Sequence, residues 1–318
     1  MLRRFSLALT TLALASIAFA KSDAMSLIPN DAVTVGVVRL NDLRNSPLSS
    51  TLFQQTDKMS VDGDAAAFLK DAGLAPTKDV DVLVFSTSPR TNLGNEADVL
   101  IAADGRFNVE RLTAALIARG AVKKNGYLTL PESKTEDREN NGAVAFPDGH
   151  LALIGSEGAV AEALTARANG GTSFLTNSGL GRELARIDPH ASAWAVFDVA
   201  RAARLVHGPH VPSSTSSAGA LQSALKTVST VAVWATDTGD SLKLGGIGVS
   251  RDTETLQLLE DTIRGALAAM RLAVQDKQPD LVPVLRKFDV SRTTDTVAIS
   301  GTVPAQTLKD FVAKQHSK

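Results

Sequence analysis

The chain has 318 residues, 44% of them hydrophobic and 21% charged, and a net charge of −1 at pH 7. That balance supports a sizeable core in about two domains and gives no electrostatic case for nucleic acid or for an anionic membrane surface. Cysteine is absent, which excludes thiol nucleophiles, disulfides and cysteine-held metals, and with aromatics at 4% the chain has few of the ring faces that carbohydrate-binding proteins present.

In chain order, the first element is an address. Met1 is followed by Arg3 and Arg4, an apolar run from Phe5 to Phe19, and Ala18-Phe19-Ala20 ahead of Lys21. A basic start, a short apolar middle and small residues before the cut describe a secretory signal peptide over residues 1–20. The run is shorter than the roughly 20 residues needed to cross a bilayer, and no cysteine follows Ala20 to take a lipid. The expectation is a soluble exported chain that starts near Lys21, periplasmic or extracellular, with no stable membrane anchor.

Short β-branched or apolar runs bounded by turn residues predict strands at Val33–Leu40, Asp81–Ser86, Asp98–Ala103, Val122–Leu130, Gly142–Phe146 and Leu151–Gly155. Apolar positions at helical spacing predict helices over Val109–Arg119, stopped by Gly120, and over Glu157–Ala168, with Ser156 as N-cap and Asn169-Gly170-Gly171 as the stop. The second half repeats the plan. Strands are predicted at Ala193–Val199, Val231–Thr236 and Leu242–Ser250, then a long helix over Glu254–Gln275, strands at Phe288–Ser291 and Thr296–Val303, and a helix over Ala305–Lys314 behind Pro304. The predicted fold is therefore α+β: two tandem β-α-β-β-α-β-β-α units, residues 21–171 and 172–318, with mostly antiparallel sheets and helices covering one face.

Several of these strands are apolar on both faces. Val33, Val35 and Val37 alternate with Thr34, Gly36 and Val38, and Val99 and Ile101 alternate with Leu100 and Ala102. A sheet side washed by water would alternate polar and apolar residues. The cover expected over the second face is the other half of the chain; the alternative is an apolar small molecule or an unknown protein partner.

Candidate chemistry is thin. His207 and His210 are the best metal pair, but Gly208-Pro209 between them breaks any helix that would aim both rings together, so no metal is assigned. Ser223-Ala224-Leu225-Lys226 matches a Ser-x-x-Lys acyl-enzyme pattern without its partner motifs and reads as helix surface. Gly155-Ser156-Glu157-Gly158 lacks the lysine of a phosphate loop, and Gly245-Gly246-Ile247-Gly248 sits in a strand, where missing side chains mean close packing. Neither implies a cofactor, and none is assigned. Trp194 and Trp234 read as core anchors that become ligand contacts if either ring is exposed, and His207 and His210 are kept beside them as contacts for a ligand or partner. The polar run from Pro131 to Gly142 reads as a long hairpin tip.

At Leu27-Ile28-Pro29-Asn30-Asp31-Ala32 the chain resembles exported bacterial proteins of uncharacterised function that open on a Leu-x-Pro-x-Asp-Ala element and run into an apolar strand. Asn41 to Leu48, Phe107 to Leu112 and Val144 to Gly149 fit that resemblance. It implies an extracytoplasmic bacterial setting and brings no catalytic residues. The leading expectation is a non-enzymatic exported binding or scaffold protein. Its rivals are a carrier of a lipid or other apolar ligand held between sheets, and a hydrolase working through dispersed carboxylates such as Asp98, Asp198 and Glu157.

Overall fold

A computed structural model describes residues 23–44, 46, 63–90, 97–131, 142–170, 174–176, 179–205, 228–276 and 278–315. The signal segment, His207, His210, the Ser223–Lys226 pattern and most of the run after Pro131 lie outside the described residues.

Twelve described strands form one antiparallel sheet. They are β1 (Thr34–Arg39), β2 (Val80–Pro89), β3 (Ala97–Gly105), β4 (Val122–Lys123), β5 (Leu128–Thr129), β6 (Gly142–Asp148), β7 (Leu151–Ser156), β8 (Ala193–Asp198), β9 (Thr230–Asp237), β10 (Ser241–Val249), β11 (Asp289–Arg292) and β12 (Thr296–Pro304). Across the sheet they run β11-β12-β10-β9-β8-β1-β2-β3-β7-β6-β5-β4. The helices are α1 (Asp23–Ser26), α2 (Leu40–Leu43), α3 (Asp64–Ala72), α4 (Pro76–Asp79), α5 (Val109–Ile117), α6 (Glu157–Asn169), α7 (Leu180–Glu183), α8 (Val199–Leu205), α9 (Thr253–Gln275), α10 (Leu281–Arg286) and α11 (Ala305–Gln315). The fold is α+β, as expected. The run Val122–Leu130 is not one strand: it is two short ones joined by a turn in which Gly126 has φ +88°.

Outward from the β1–β8 junction the order is β8-β9-β10-β12-β11 on one side and β1-β2-β3-β7-β6 on the other, where β5 and β4 follow. At the junction Gly36 lies opposite Ala195, Val35 opposite Val196 and Val37 opposite Trp194. Hydrogen bonds match across it: Arg39 N–H donates to the Ser192 carbonyl and Asp198 N–H donates to the Val33 carbonyl, both at 2.8 Å. Each side also reaches across with an arginine, Arg39 to the Ala191 carbonyl at 2.7 Å and Arg201 to the Asp31 carbonyl at 2.9 Å.

This junction corrects the expected arrangement of the halves. They do not stack face to face to shield each other's strands. They join edge to edge, because β1 and β8 each have a free ladder to satisfy and pairing them abolishes two sheet edges at once.

One face of the sheet carries the main core. Val35, Val37, Val84, Leu100, Ala102, Leu153, Trp194, Val196 and Ala232 point to it and pack against Ala24 and Met25 of α1, Ala159, Val160 and Ala163 of α6, and Phe174, Leu180 and Leu184. The helix α6 stops at Gly170, whose φ of +62° suits a residue without Cβ. Ser156 stands at its N-cap, yet its hydroxyl makes no capping bond and donates instead to Asp98 Oδ1 at 2.7 Å.

Among the described residues, the second face is covered at its flanks. On one side α9 lays Leu256, Leu259 and Leu267 over Val231, Val290, Val297 and Ile299. Asp252 starts that helix by accepting from the N–H groups of Glu254 and Thr255, each at 3.2 Å. On the other side α3 and α5 pack through Ala72, Leu112 and Ala115, and Phe107 and Phe146 cover Ala103 and Ala152.

Candidate functional site on the uncovered face of the sheet

Residues directly opposite one another in an antiparallel ladder project to the same face. One register row can therefore be followed across the second face from strand to strand. It runs Val290, Ile299, Gly246, Val233, Ala195, Gly36, Phe85, Ile101, Ile154, Val144, Leu128. Every member is apolar. At its two ends Val290, Val144 and Leu128 are buried. In the middle Val233 is 43% exposed, Phe85 38%, Ile101 37% and Ile154 44%, and Val99 of the adjacent row is 44% exposed.

The neighbouring rows add little polarity. Phe197, Thr34, Thr87 and Val99 form one, and Ala193, Val38, Leu83 and Ala103 the other. Thr34 and Thr87 supply the polar side chains among these eight residues. The backbone N–H and C=O groups beneath are consumed by the ladders on either side, so the surface offers hydrocarbon and almost nothing else. Apolar surface left in water forfeits about 25 cal/mol per Å², and a contiguous exposed patch of this kind marks an interaction site.

The ring of Phe85 sets the relief of the patch. It lies across Gly36, where an added Cβ would sit 1.9 Å from Phe85 Cζ. The same device recurs elsewhere in the sheet: the Trp234 ring lies over Gly245 and the Phe288 ring over Gly301, with added Cβ atoms at 2.2 and 2.5 Å from ring carbons. In β10, Gly248 makes room for Leu259 of α9. These glycines serve close packing rather than phosphate binding.

The tryptophans lie on the opposite side of the sheet from the patch. Trp194 is 3% exposed within the main core and pairs across β8–β9 with the half-buried Trp234. Trp194 is therefore an anchor, not a contact surface. Phe85, Ile101, Ile154 and Val233 were not singled out from the sequence. The signal that pointed toward Ile101 was the two-sided apolar alternation of β3.

The three carboxylates considered for hydrolysis each have a structural partner, and they do not share one cluster. Asp98 accepts from Ser156 Oγ and from Arg90 Nε at 3.3 Å. Asp198 accepts from Arg201 N–H at 3.0 Å, capping α8. Glu157 Oε1 accepts from Lys124 Nζ at 2.5 Å and from the Tyr127 hydroxyl at 2.8 Å, which ties the β4–β5 hairpin to the start of α6. Among the described residues no group of three or more His, Asp and Glu is placed to hold a metal ion.

The Glu157 bonds shift all three partners. The hydrogen bond from Lys124, then that from Tyr127, holds the Glu157 carboxyl below the usual glutamate value, and the same bonds raise Lys124 and Tyr127. A depressed carboxyl contributes stability above its ordinary pKa and loses it as pH falls through the folded value. The raised Lys124 and Tyr127 contribute below their ordinary values and lose it as pH rises through the folded ones. The hairpin is thus pinned from weakly acid to alkaline pH. Tyr127 is the one tyrosine of the chain, so its phenol can be titrated by ultraviolet absorbance without assignment. Glu157→Gln is expected to lower that pKa toward the ordinary value of about 10; an unchanged titration would mean the bond is not made in solution.

A smaller groove of about 270 Å³ lies between the segment leading into β1 and α6, lined by Leu27, Ile28, Pro29, Ala163 and Glu162. Burial, then the charges of Asp31 and Asp98, push the Glu162 carboxyl above its ordinary value. No helix among the described residues is long and apolar enough to cross a membrane.

No family model and no curated protein matches this chain. Solved structures that are similar to it include three crystal forms of one protein, TP0453. Form I is 9% identical at a TM-score of 0.48, covering 93% of this chain and 98% of that one. Form IV is 11% identical at 0.47, with 92% and 97% covered, and form III is 10% identical at 0.44, with 93% and 99% covered.

Proposed function

We propose that this chain is an exported, non-enzymatic binding protein that carries an apolar molecule on the uncovered face of its sheet. The observation that carries the reading is the register row Val233, Ala195, Gly36, Phe85, Ile101, Ile154, in which Val233, Phe85, Ile101 and Ile154 are exposed, between two helical flanks among the described residues. The ligand site lies on one open sheet rather than between two sheets, since the halves share a single ladder. The signal-like residues 1–20 support the exported setting, and a mature chain is expected to begin at Lys21; recovery of the mature protein with Met1 intact would remove that part of the proposal.

Binding is tested with the environment-sensitive dye anilinonaphthalene sulfonate on the full mature chain. Saturable binding is expected, weakened in Ile154→Asp by about tenfold to a hundredfold, which corresponds to the roughly 1.5–3 kcal/mol of one buried aliphatic side chain. Dye binding that Ile154→Asp leaves untouched would contradict the site.

A further inference from the structure

Independently of any ligand, we infer that Arg264 on α9 guards the β11 edge of the sheet against strand addition by a second copy of this chain. Among the described residues β11 ends the sheet on one side and β4 on the other. The free groups of β11 follow from its hairpin. Thr293 N–H donates to the Thr296 carbonyl at 2.8 Å, so those two residues form a hydrogen-bonded pair. Hydrogen-bonded and non-hydrogen-bonded pairs alternate along an antiparallel ladder. Arg292–Val297 and Val290–Ile299 are therefore non-hydrogen-bonded pairs, and Val290 and Arg292 turn their N–H and C=O groups away from β12. The other ladder of β12 agrees. Ser250 N–H donates to the Asp295 carbonyl at 3.0 Å, which by the same alternation turns Val297 and Ile299 toward β10.

Two outward residues at this spacing are what a second β11 needs. Two copies laid antiparallel about Ser291 would set Val290 of each opposite Arg292 of the other, and each pair would exchange two hydrogen bonds. The contact would be a closed two-fold one. The fold denies it an acceptor. Arg264 Nη2 donates to the Val290 carbonyl, so the guanidinium stands where the incoming strand would lie. Glu260, one helical turn back, holds it there. Glu260 Oε1 accepts from Arg264 Nε at 3.1 Å and from Nη2 at 2.8 Å, and Glu260 Oε2 pairs with Arg292 Nε at 3.0 Å. The β4 edge is managed by other means. Lys124 N–H donates to the Tyr127 carbonyl at 2.8 Å, so alternation leaves Lys123 as the outward residue of that two-residue strand. An exposed lysine on a short strand is a poor template for pairing. No lysine lies on β11, and Arg264 serves from the neighbouring helix instead.

Sedimentation velocity of the full mature chain over a concentration series tests this, with circular dichroism recorded beside it. The parent is expected to sediment as one chain throughout. Arg264→Ala is expected to form a dimer, at least about tenfold tighter than the limit the parent sets, as release of a charged hydrogen bond to the carbonyl allows. Arg264→Met, which keeps the apolar stem and removes the donors, is expected to behave alike. Adding Arg292→Pro is expected to return either variant to one chain. The Arg292 N–H points outward, so proline there removes no bond to β12 and blocks the incoming strand. A dimeric parent would overturn the inference. So would Arg264→Ala and Arg264→Met chains that both stay single, or association that Arg292→Pro leaves in place.

Discussion

Leu153→Ala is expected to cost about 2–5 kcal/mol of folding stability, whereas Ile154→Asp, one residue further along β7, is expected to leave the urea midpoint unchanged or higher. The two side chains point to opposite faces of one strand. Leu153 is wholly buried among Val84, Ala102, Ala145 and Val160 in the main core, and its removal opens a cavity that close-packed neighbours cannot fill. Ile154 stands in solvent opposite Ile101 and Val144. An aspartate there gains hydration and breaks no described contact of the core. With domain stabilities of about 5–15 kcal/mol, the first change threatens folding and the second does not. Equal destabilisation by the two would mean that the second face is covered in solution and that the patch is ordinary core.

A second large effect is expected at Gly155. It lies beside Leu100 in the β3–β7 ladder, and an added Cβ would sit 2.1 Å from the Val99 carbonyl oxygen. That neighbour is backbone, so no rotamer change relieves the clash and the ladder itself must open. Gly155→Ala is therefore expected to cost as much as, or more than, the roughly 1–3 kcal/mol typical of an overpacked core. Gly36→Ala is the informative contrast. The three atoms nearest its added Cβ all belong to the ring of Phe85, a side chain that can swing away, so the cost is expected to be smaller and to fall mainly on ligand binding. Urea unfolding of both variants checks the order; a Gly36→Ala chain less stable than Gly155→Ala would contradict it.

Much of the architecture was legible in the sequence, because alternation and helical spacing are local signals. The strands around Val35, Val84, Leu100, Leu153, Val196 and Ala232 and the helices α5, α6, α9 and α11 fall where periodicity put them. Short helices such as α3, α4 and α10 were missed: an alanine-rich turn, a turn opened by Pro76 and one containing Pro283 carry little periodic signal over four to nine residues. The site was half legible. Val99 and Leu100 showed that both faces of β3 are apolar, but a strand cannot say what lies above it. That the halves join edge to edge is settled by the pairing of β1 with β8, a contact between residues about 160 positions apart that no local pattern encodes. Trp194 drew attention for its size, while Ile101 and Ile154, with no distinguishing chemistry, are the residues left in water.

The most direct test of the account is an isoleucine-methyl NMR titration of the mature chain with anilinonaphthalene sulfonate. The account predicts that the methyl signals of Ile101 and Ile154 shift and saturate together, while Ile28, fully buried on the other side of the sheet, stays where it is. Shifts confined to Ile28 and its neighbours, with Ile101 and Ile154 unmoved, would contradict it.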